Sequence, residues 1–179
     1  VWRSHVYETV AGVVPPGASD VECVVRRLPA LTERQRLLLA MSWTESRPIL
    51  YQPVDSPDVA DWLLVRKCTD RFEMMRSFLA SRNIEGEGHT YVDLACNYGW
   101  FVDAMLGLGF DARGVELDRR AGTIAQVMYG LDPNRILVGD VVDHLSHAAN
   151  DVDVASCFSL VHHFVRMKQA DLAVRVMRL

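Results

Sequence analysis

From Thr90 onward, strand-like and helix-like runs alternate four times: Thr90 to Leu94 then Trp100 to Leu108, Ala112 to Leu117 then Arg120 to Tyr129, Arg135 to Val138 then Val141 to Ala148, and Val152 to Phe158 then Leu160 onward. A crossover through a helix returns the chain parallel to the strand it left, and such crossovers are right-handed. Four units in series predict one parallel sheet with helices on both faces, an α/β fold. Ligands of such sheets sit beyond the carboxyl ends of the strands, so those ends are where chemistry is to be sought.

Before Thr90 the pattern is different. Ser19 with Glu22, and Thr32 with Gln35, are hydroxyls followed three residues later by a side chain able to bond back, the reciprocal cap of a helix start. Pro15-Pro16-Gly17 and Leu28-Pro29 interrupt regular structure around them. Ser56 and Pro57 open a third helix, with Asp58 and Asp61 near the positive end of its dipole. Leu64, Cys68, Phe72, Met75 and Leu79 then recur at helical steps on one face. Met74 and Met75 read as core filler, and Arg66 with Asp70 and Glu73 with Arg76 are spaced to pair. Turn residues from Asn83 to Gly88 follow. The chain is thus predicted to divide into a helical region, 1–82, lying over the cleft as a lid, and a sheet domain, 83–179.

Composition excludes several classes of function. The formal net charge is −4 and the pI about 5.8, so no global positive field draws in nucleic acid or an anionic membrane. A local basic stripe of Arg66, Lys67, Arg71 and Arg76 leaves nucleic acid open as a partner. No run of about 18 apolar residues is present, so no membrane span is expected. The four cysteines, Cys23, Cys68, Cys96 and Cys157, are scattered without a Cys-x-x-Cys pair. That argues against a disulfide framework or a zinc site and for a reducing, cytoplasmic setting. His144 and His147 stand one helical turn apart without a third ligand at suitable spacing, so a solvated helix face is expected there and no metal.

The predicted strand ends carry Asp93 with the turn Ala95, Cys96, Asn97, Tyr98 and Gly99, then Glu116, Leu117 and Asp118, then Asp140 and Val141, then Phe158 and Ser159 followed by His162 and His163. Acids gathered at one rim repel each other unless a ligand brings hydroxyl, amino or cationic groups. Glu116 lies 23 residues after Asp93, at the tip of the second strand, where a carboxylate can accept the vicinal hydroxyls of a ribose. That position suits a dinucleotide and any other adenosine ligand alike. The turn separates them, because a pyrophosphate needs glycine-rich backbone amides at a helix start. A-C-N-Y-G-W, with Gly99 alone and the anionic Asp93 before it, is a poor phosphate cradle. It is a workable one for an adenosine ligand with a positive sulfonium and an amino acid tail. Asp118 reads as a cap of the next helix, Trp100 and Phe101 as core, and Tyr98 as a neighbour of the ligand.

VDLACNYGWF resembles the first motif of class I S-adenosylmethionine-dependent methyltransferases, and GVELD, Gly114 to Asp118, their ribose-binding acid. VGD, Val138 to Asp140, is similar to their adenine-side acid, and DVASCFSLVHHF, Asp153 to Phe164, to their fourth-strand motif. The resemblance implies a Rossmann-like sheet, S-adenosyl-L-methionine as cofactor, and methyl transfer to a hydroxyl of a small-molecule acceptor. A tRNA or other nucleic-acid methyltransferase, and a non-catalytic donor-binding or partner-binding relative, are the alternatives. It implies further that Asp93 and the Ala95 to Gly99 turn border the methionine part, Glu116 with Leu117 the ribose, Asp140 with Val141 the adenine, and Phe158 with Ser159 the donor's amino end. Arg71, in DRFEMMRSF, resembles an arginine that some members carry just before the first strand.

Ala95 and Asn97 stand where the family's commonest version has glycines, so a more restricted turn is expected. His162 and His163 are the imidazoles suited to taking a proton from a hydroxyl acceptor. Adjacent residues on a helix point about 100° apart, so at most one of them faces the cleft. The family usually has three further strands after the fourth unit. The outer edge of Val152 to Phe158 therefore needs cover, from more chain or from another subunit in a homo-oligomer.

Overall fold

The computed structural model describes residues 43–44, 47–55, 57, 60–118, 121–148, 152–158 and 160–177, and the chain divides into two compact units after Cys68. In the first unit β1 (Trp43–Thr44) pairs antiparallel with β2 (Arg47–Leu50), which pairs parallel with β3 (Leu63–Leu64). The sequence allows one long helix or two short ones between Ser56 and Leu79; Thr69 onward is helical, Ser56 lies outside the described residues, and the expectation is corrected over 60–68. The Val65 and Arg66 amides donate to the Leu50 and Tyr51 carbonyls at 2.8 and 3.1 Å, extending the pairing with β2. Cys68 then takes a left-handed φ of 63°, which a right-handed helix cannot hold. The helix starts expected at Ser19 and Thr32 lie outside the described residues.

The second unit opens with α1 (Thr69–Ser81), so this helix belongs with the sheet rather than with the first part of the chain. Leu79 is buried and Phe72 and Met75 are half-buried on one stripe of α1. Met74, off that stripe, is 67% exposed and is not core filler. Glu73 and Arg76 pair at 3.0 Å, as their spacing predicts.

The elements that follow are β4 (Thr90–Leu94), α2 (Trp100–Leu106), β5 (Asp111–Glu116), α3 (Ala121–Tyr129), β6 (Ile136–Val138), α4 (Val141–Ala148), β7 (Val154–Ser156), α5 (Val161–Arg166) and α6 (Ala170–Val176). The four strands are parallel and lie in the order β6-β5-β4-β7. The chain winds outward from β4 to β5 and β6, then crosses back to lay β7 on the other side of β4. The crevice above β4 and β7 is therefore the switch point of the sheet.

Alternation along β4 divides the core. Val92 and Leu94 join Val115 of β5, Val141 of α4, Phe164 of α5, and Ala173 and Val176 of α6 in one buried cluster. On the opposite side Val102 and Met105 of α2 and Ile124 and Ala125 of α3 are all 0% exposed. Burying a side chain of the size of Val, Ile or Met contributes about 1.5–3 kcal/mol, so both layers hold the sheet. At its amino end Asp153 Oδ2 accepts the Thr90 amide and hydroxyl at 2.8 and 2.9 Å, and the Asp153 amide donates to Thr90 Oγ1 at 3.0 Å. These bonds fix the register of β7 on β4. Among the described residues β7 pairs with β4 alone, and no helix is long and apolar enough to cross a membrane.

Candidate functional site

The loop from β4 into α2 carries left-handed residues at every second position: φ is 62° at Ala95, 55° at Asn97 and 84° at Gly99. Glycine adopts this backbone freely, asparagine tolerates it, and alanine pays about 1 kcal/mol for it. Ala95 and Asn97 thus take the conformation that glycine takes most readily, and the restriction expected from the sequence appears as local strain at Ala95.

Glu116, at the tip of β5, fastens this loop. Its Oε2 accepts the Asn97 amide at 2.9 Å and its Oε1 the Asp118 amide at 3.1 Å. The Cys96 amide donates to the Val115 carbonyl at 3.1 Å, and the Gly139 amide to the Glu116 carbonyl at 3.0 Å. Three rim loops are in this way stitched to the end of one strand. Gly114 lies beneath, where a Cβ would stand 2.7 Å from Cys96 Cβ and 3.0 Å from Val102 Cγ2. Only glycine lets the loop and α2 come so close to β5. The side-chain oxygen of Asn97 is buried and has no hydrogen-bond partner.

Asp93 is 3% exposed and sits opposite Ser156 in the β4–β7 register. Its Oδ1 accepts the Ser156 hydroxyl at 2.5 Å, and Ser156 Oγ lies 2.6 Å from the Tyr91 hydroxyl. Ser156 has one hydrogen to give, so while it donates to Asp93 the phenol of Tyr91 donates to Ser156. Burial pushes Asp93 up to about 7; the Ser156 bond opposes this and the Glu116 charge adds to it. Tyr91 is also pushed up, first by burial and then by the Asp93 charge. Neither Ser156 nor Tyr91 is among the sequence candidates. The available signal was a hydroxyl inside an otherwise apolar strand, and it acquires meaning only once β7 is laid against β4.

The other candidates sit as follows. Asp140 Oδ1 accepts the Val142 and Asp143 amides at 2.7 and 3.3 Å and so caps α4, while Val141 belongs to the core. Leu117 and Val138, at the ends of β5 and β6, are 71% and 49% exposed. Tyr98 and Phe101 are buried, and Trp100 is half-buried. Phe158 is half-buried at the end of β7, its ring 4.6 Å from Phe101, which lies 4.9 Å from Trp100, itself 5.6 Å from Phe72 of α1. This aromatic row ties α1 to the rim and brings the Arg71 guanidinium to 5.9 Å from the Phe158 ring. The Asp118 carbonyl accepts the Ala121 amide at 2.9 Å, at the start of α3. Ser159 lies outside the described residues. His162 and His163 are both exposed on α5, their rings 4.1 Å apart.

Solved structures of WbdD are similar to this chain. A crystal structure of monomeric WbdD matches with a TM-score of 0.59 at 18% identity, over 73% of this chain and 33% of that one. A structure of the bifunctional kinase-methyltransferase WbdD matches with a TM-score of 0.58, also at 18% identity, over 73% of this chain and 30% of that one. The sheet has the Rossmann-like α/β fold that it shares with those structures. At this identity the likeness speaks for the fold, and the chain spans 33% or less of the WbdD chains just described. No protein-family model and no curated protein matches it.

Within that fold the rim gathers an acceptor at Glu116, bare apolar surface at Leu117 and Val138, and a guanidinium beside Phe158. Such a set matches a ligand with hydroxyls, a flat apolar part and an anionic end. The Cys96 and Cys157 thiols are poorly placed to act as nucleophiles. Burial first, and then the Asp93 charge, push both Cys96 and Cys157 up, away from the thiolate form.

Proposed function

We propose that this chain carries the donor-binding part of an S-adenosyl-L-methionine-dependent methyltransferase whose acceptor is a small molecule bearing a hydroxyl. The observation that carries the reading is the β4–α2 loop, held by Glu116 in a run of left-handed residues at the switch point of the sheet. Phosphates would meet a carboxylate at the edge of this loop, whereas hydroxyls and a cation meet acceptors there. The residues fit the parts of the donor in turn. Glu116 would hold the ribose hydroxyls, the exposed Leu117 and Val138 the face of adenine, Asp140 its amino group, and Arg71 the carboxylate end.

When bound, the donor supplies an electrophilic methyl group on a sulfonium. The chain's own residues align the two reactants and, for a hydroxyl acceptor, take up its proton. His162 and His163, exposed just past β7, are available for that step. The net charge of −4, and the pairing of Arg76 with Glu73, favour a small acceptor over a nucleic acid. Titration calorimetry with S-adenosylhomocysteine and with NAD tests the reading. Binding of the first and silence of the second is the expected result; heat from NAD alone, or from neither, overturns it.

A further inference from the structure

We propose that the open edge of β3 is an interface between two copies of this chain: Leu64 pairs antiparallel with Leu64 of the second copy, and Asp61 of each copy meets Arg66 and Lys67 of the other. The inference concerns the first unit and is independent of the donor reading above.

Among the described residues β3 pairs with β2 alone, so one of its edges is open. The Val65 amide donates to the Leu50 carbonyl at 2.8 Å, which turns the main chain of Val65 toward β2. Successive residues of a strand turn their backbone groups to opposite sides, so the amide and carbonyl of Leu64 face the open edge. A donor and an acceptor on one residue are self-complementary. Two such strands, antiparallel about a two-fold axis at Leu64, exchange both bonds. The side chains at this edge are apolar and unshielded: Leu63 and Val65, on one face, are 59% and 46% exposed, and Leu64, on the other, 36%. Exposed apolar edges are normally guarded by a charge or a proline within the strand, and 63–65 has neither. The same two-fold lays Leu63 against Val65 of the second copy, an apolar cross-strand pair. Charge then selects a second copy as the occupant. Asp61 precedes the apolar run, Arg66 and Lys67 follow it, and all three are exposed. Antiparallel pairing about Leu64 brings the acid of each copy to the basic pair of the other, whereas parallel pairing would set like charges side by side. Among the described residues no ion pair engages Asp61, Arg66 or Lys67. The edge is short, so the dimer is a weak one that forms with rising concentration.

Sedimentation equilibrium of the full chain at low salt, over a range of protein concentrations, tests this with four variants, each checked for folding by circular dichroism. Leu64→Pro removes the amide that faces the open edge and spares the bond from Val65 to Leu50. Asp61→Lys and Lys67→Asp each set like charges across the two-fold, and the double variant restores opposite ones. The expected result is a monomer–dimer equilibrium in wild type, loss of the dimer in Leu64→Pro, and dimerisation weakened roughly 3- to 30-fold in each single charge variant. The double variant should return to within a few-fold of wild type, because the exchanged charges meet again only across the interface. A single monomeric species at every concentration overturns the inference. So does a dimer that the single charge variants leave unchanged, since its interface then lies elsewhere. Should Leu64→Pro fail to fold, the charge exchange decides alone: a double variant no better than the single ones overturns the pairing about Leu64.

Discussion

Glu116 and Asn97 are 19 residues apart in the chain, and Glu116 Oε2 accepts the Asn97 amide at 2.9 Å. The acid at the tip of β5 therefore shapes the loop after β4 before any ligand arrives. Each carboxylate oxygen keeps a lone pair beyond the one it gives to Asn97 or Asp118, so holding the loop and holding a ribose are compatible tasks.

Glu116→Ala is expected to weaken S-adenosylhomocysteine binding by about 1–3 kcal/mol, because ligand hydroxyls and two backbone amides all lose their acceptor. Glu116→Gln keeps one acceptor oxygen and should lose less. Hydrogen exchange at the Asn97 and Asp118 amides should quicken in the alanine variant even without ligand. Faster exchange with unchanged ligand affinity would leave Glu116 as a fastening for the loop and nothing more.

Asp93 makes stability depend on pH in an unusual direction. Burial holds it near 7 in the folded protein against 3.8 for an ordinary aspartate. Below about pH 4 both folded and unfolded chains keep the proton; between about 4 and 7 only the folded chain does. Its contribution is thus fully present in acid and is lost as pH rises through about 7, a swing of the order of 4 kcal/mol. Urea unfolding of wild type and Asp93→Asn across this range isolates it. The difference between the two should shift steadily in favour of the asparagine variant as pH rises. Ser156→Ala removes the donor that favours the ionised form and should move the window upward. A pH-independent difference would mean that Asp93 is ionised throughout.

Gly114→Ala tests how closely the loop rests on the sheet. The new methyl would stand 2.7 Å from Cys96 Cβ and 3.0 Å from Val102 Cγ2, and the backbone of β5 on either side is paired with β4 and β6. Relief has to come from the loop and α2. A loss of about 1–3 kcal/mol in unfolding free energy is expected, with weaker S-adenosylhomocysteine binding as Cys96 is pushed outward. Full stability in this variant would mean that the loop yields at no cost.

Strand tips were readable from the sequence where an acid or a turn residue interrupts an apolar run, as at Asp93 and Glu116, because period and punctuation are local signals. β4 has the predicted bounds for the same reason. The failure over 60–68 is equally physical. Leu64, Cys68 and Phe72 keep helical spacing by coincidence, while the amides of Val65 and Arg66 find partners near β2, which no local pattern reveals. The bond from Ser156 to Asp93 spans 63 residues and depends on the register of β7 on β4, so the acid was legible and its partner was not. For Ala95 the residue type was informative and the outcome was not, since the chain could have changed the turn and instead strained the residue.

That strain supplies the last test. Ala95 has a φ of 62°, where alanine costs about 1 kcal/mol more than glycine. Replacing it by glycine also gives the unfolded chain about 0.4–1 kcal/mol more conformational entropy, which works against folding. The two terms nearly cancel, so Ala95→Gly should leave stability unchanged or raise it by less than about 1 kcal/mol. The same substitution at Ala104, inside α2, relieves nothing and should cost about 1 kcal/mol. Urea midpoints for the two variants, measured side by side, remove the shared effect of the unfolded chain. A gap of about 1–2 kcal/mol in favour of the Ala95 variant is expected from the difference in backbone cost alone. If both variants are destabilised equally, alanine is at ease at position 95 and the loop stores no strain there.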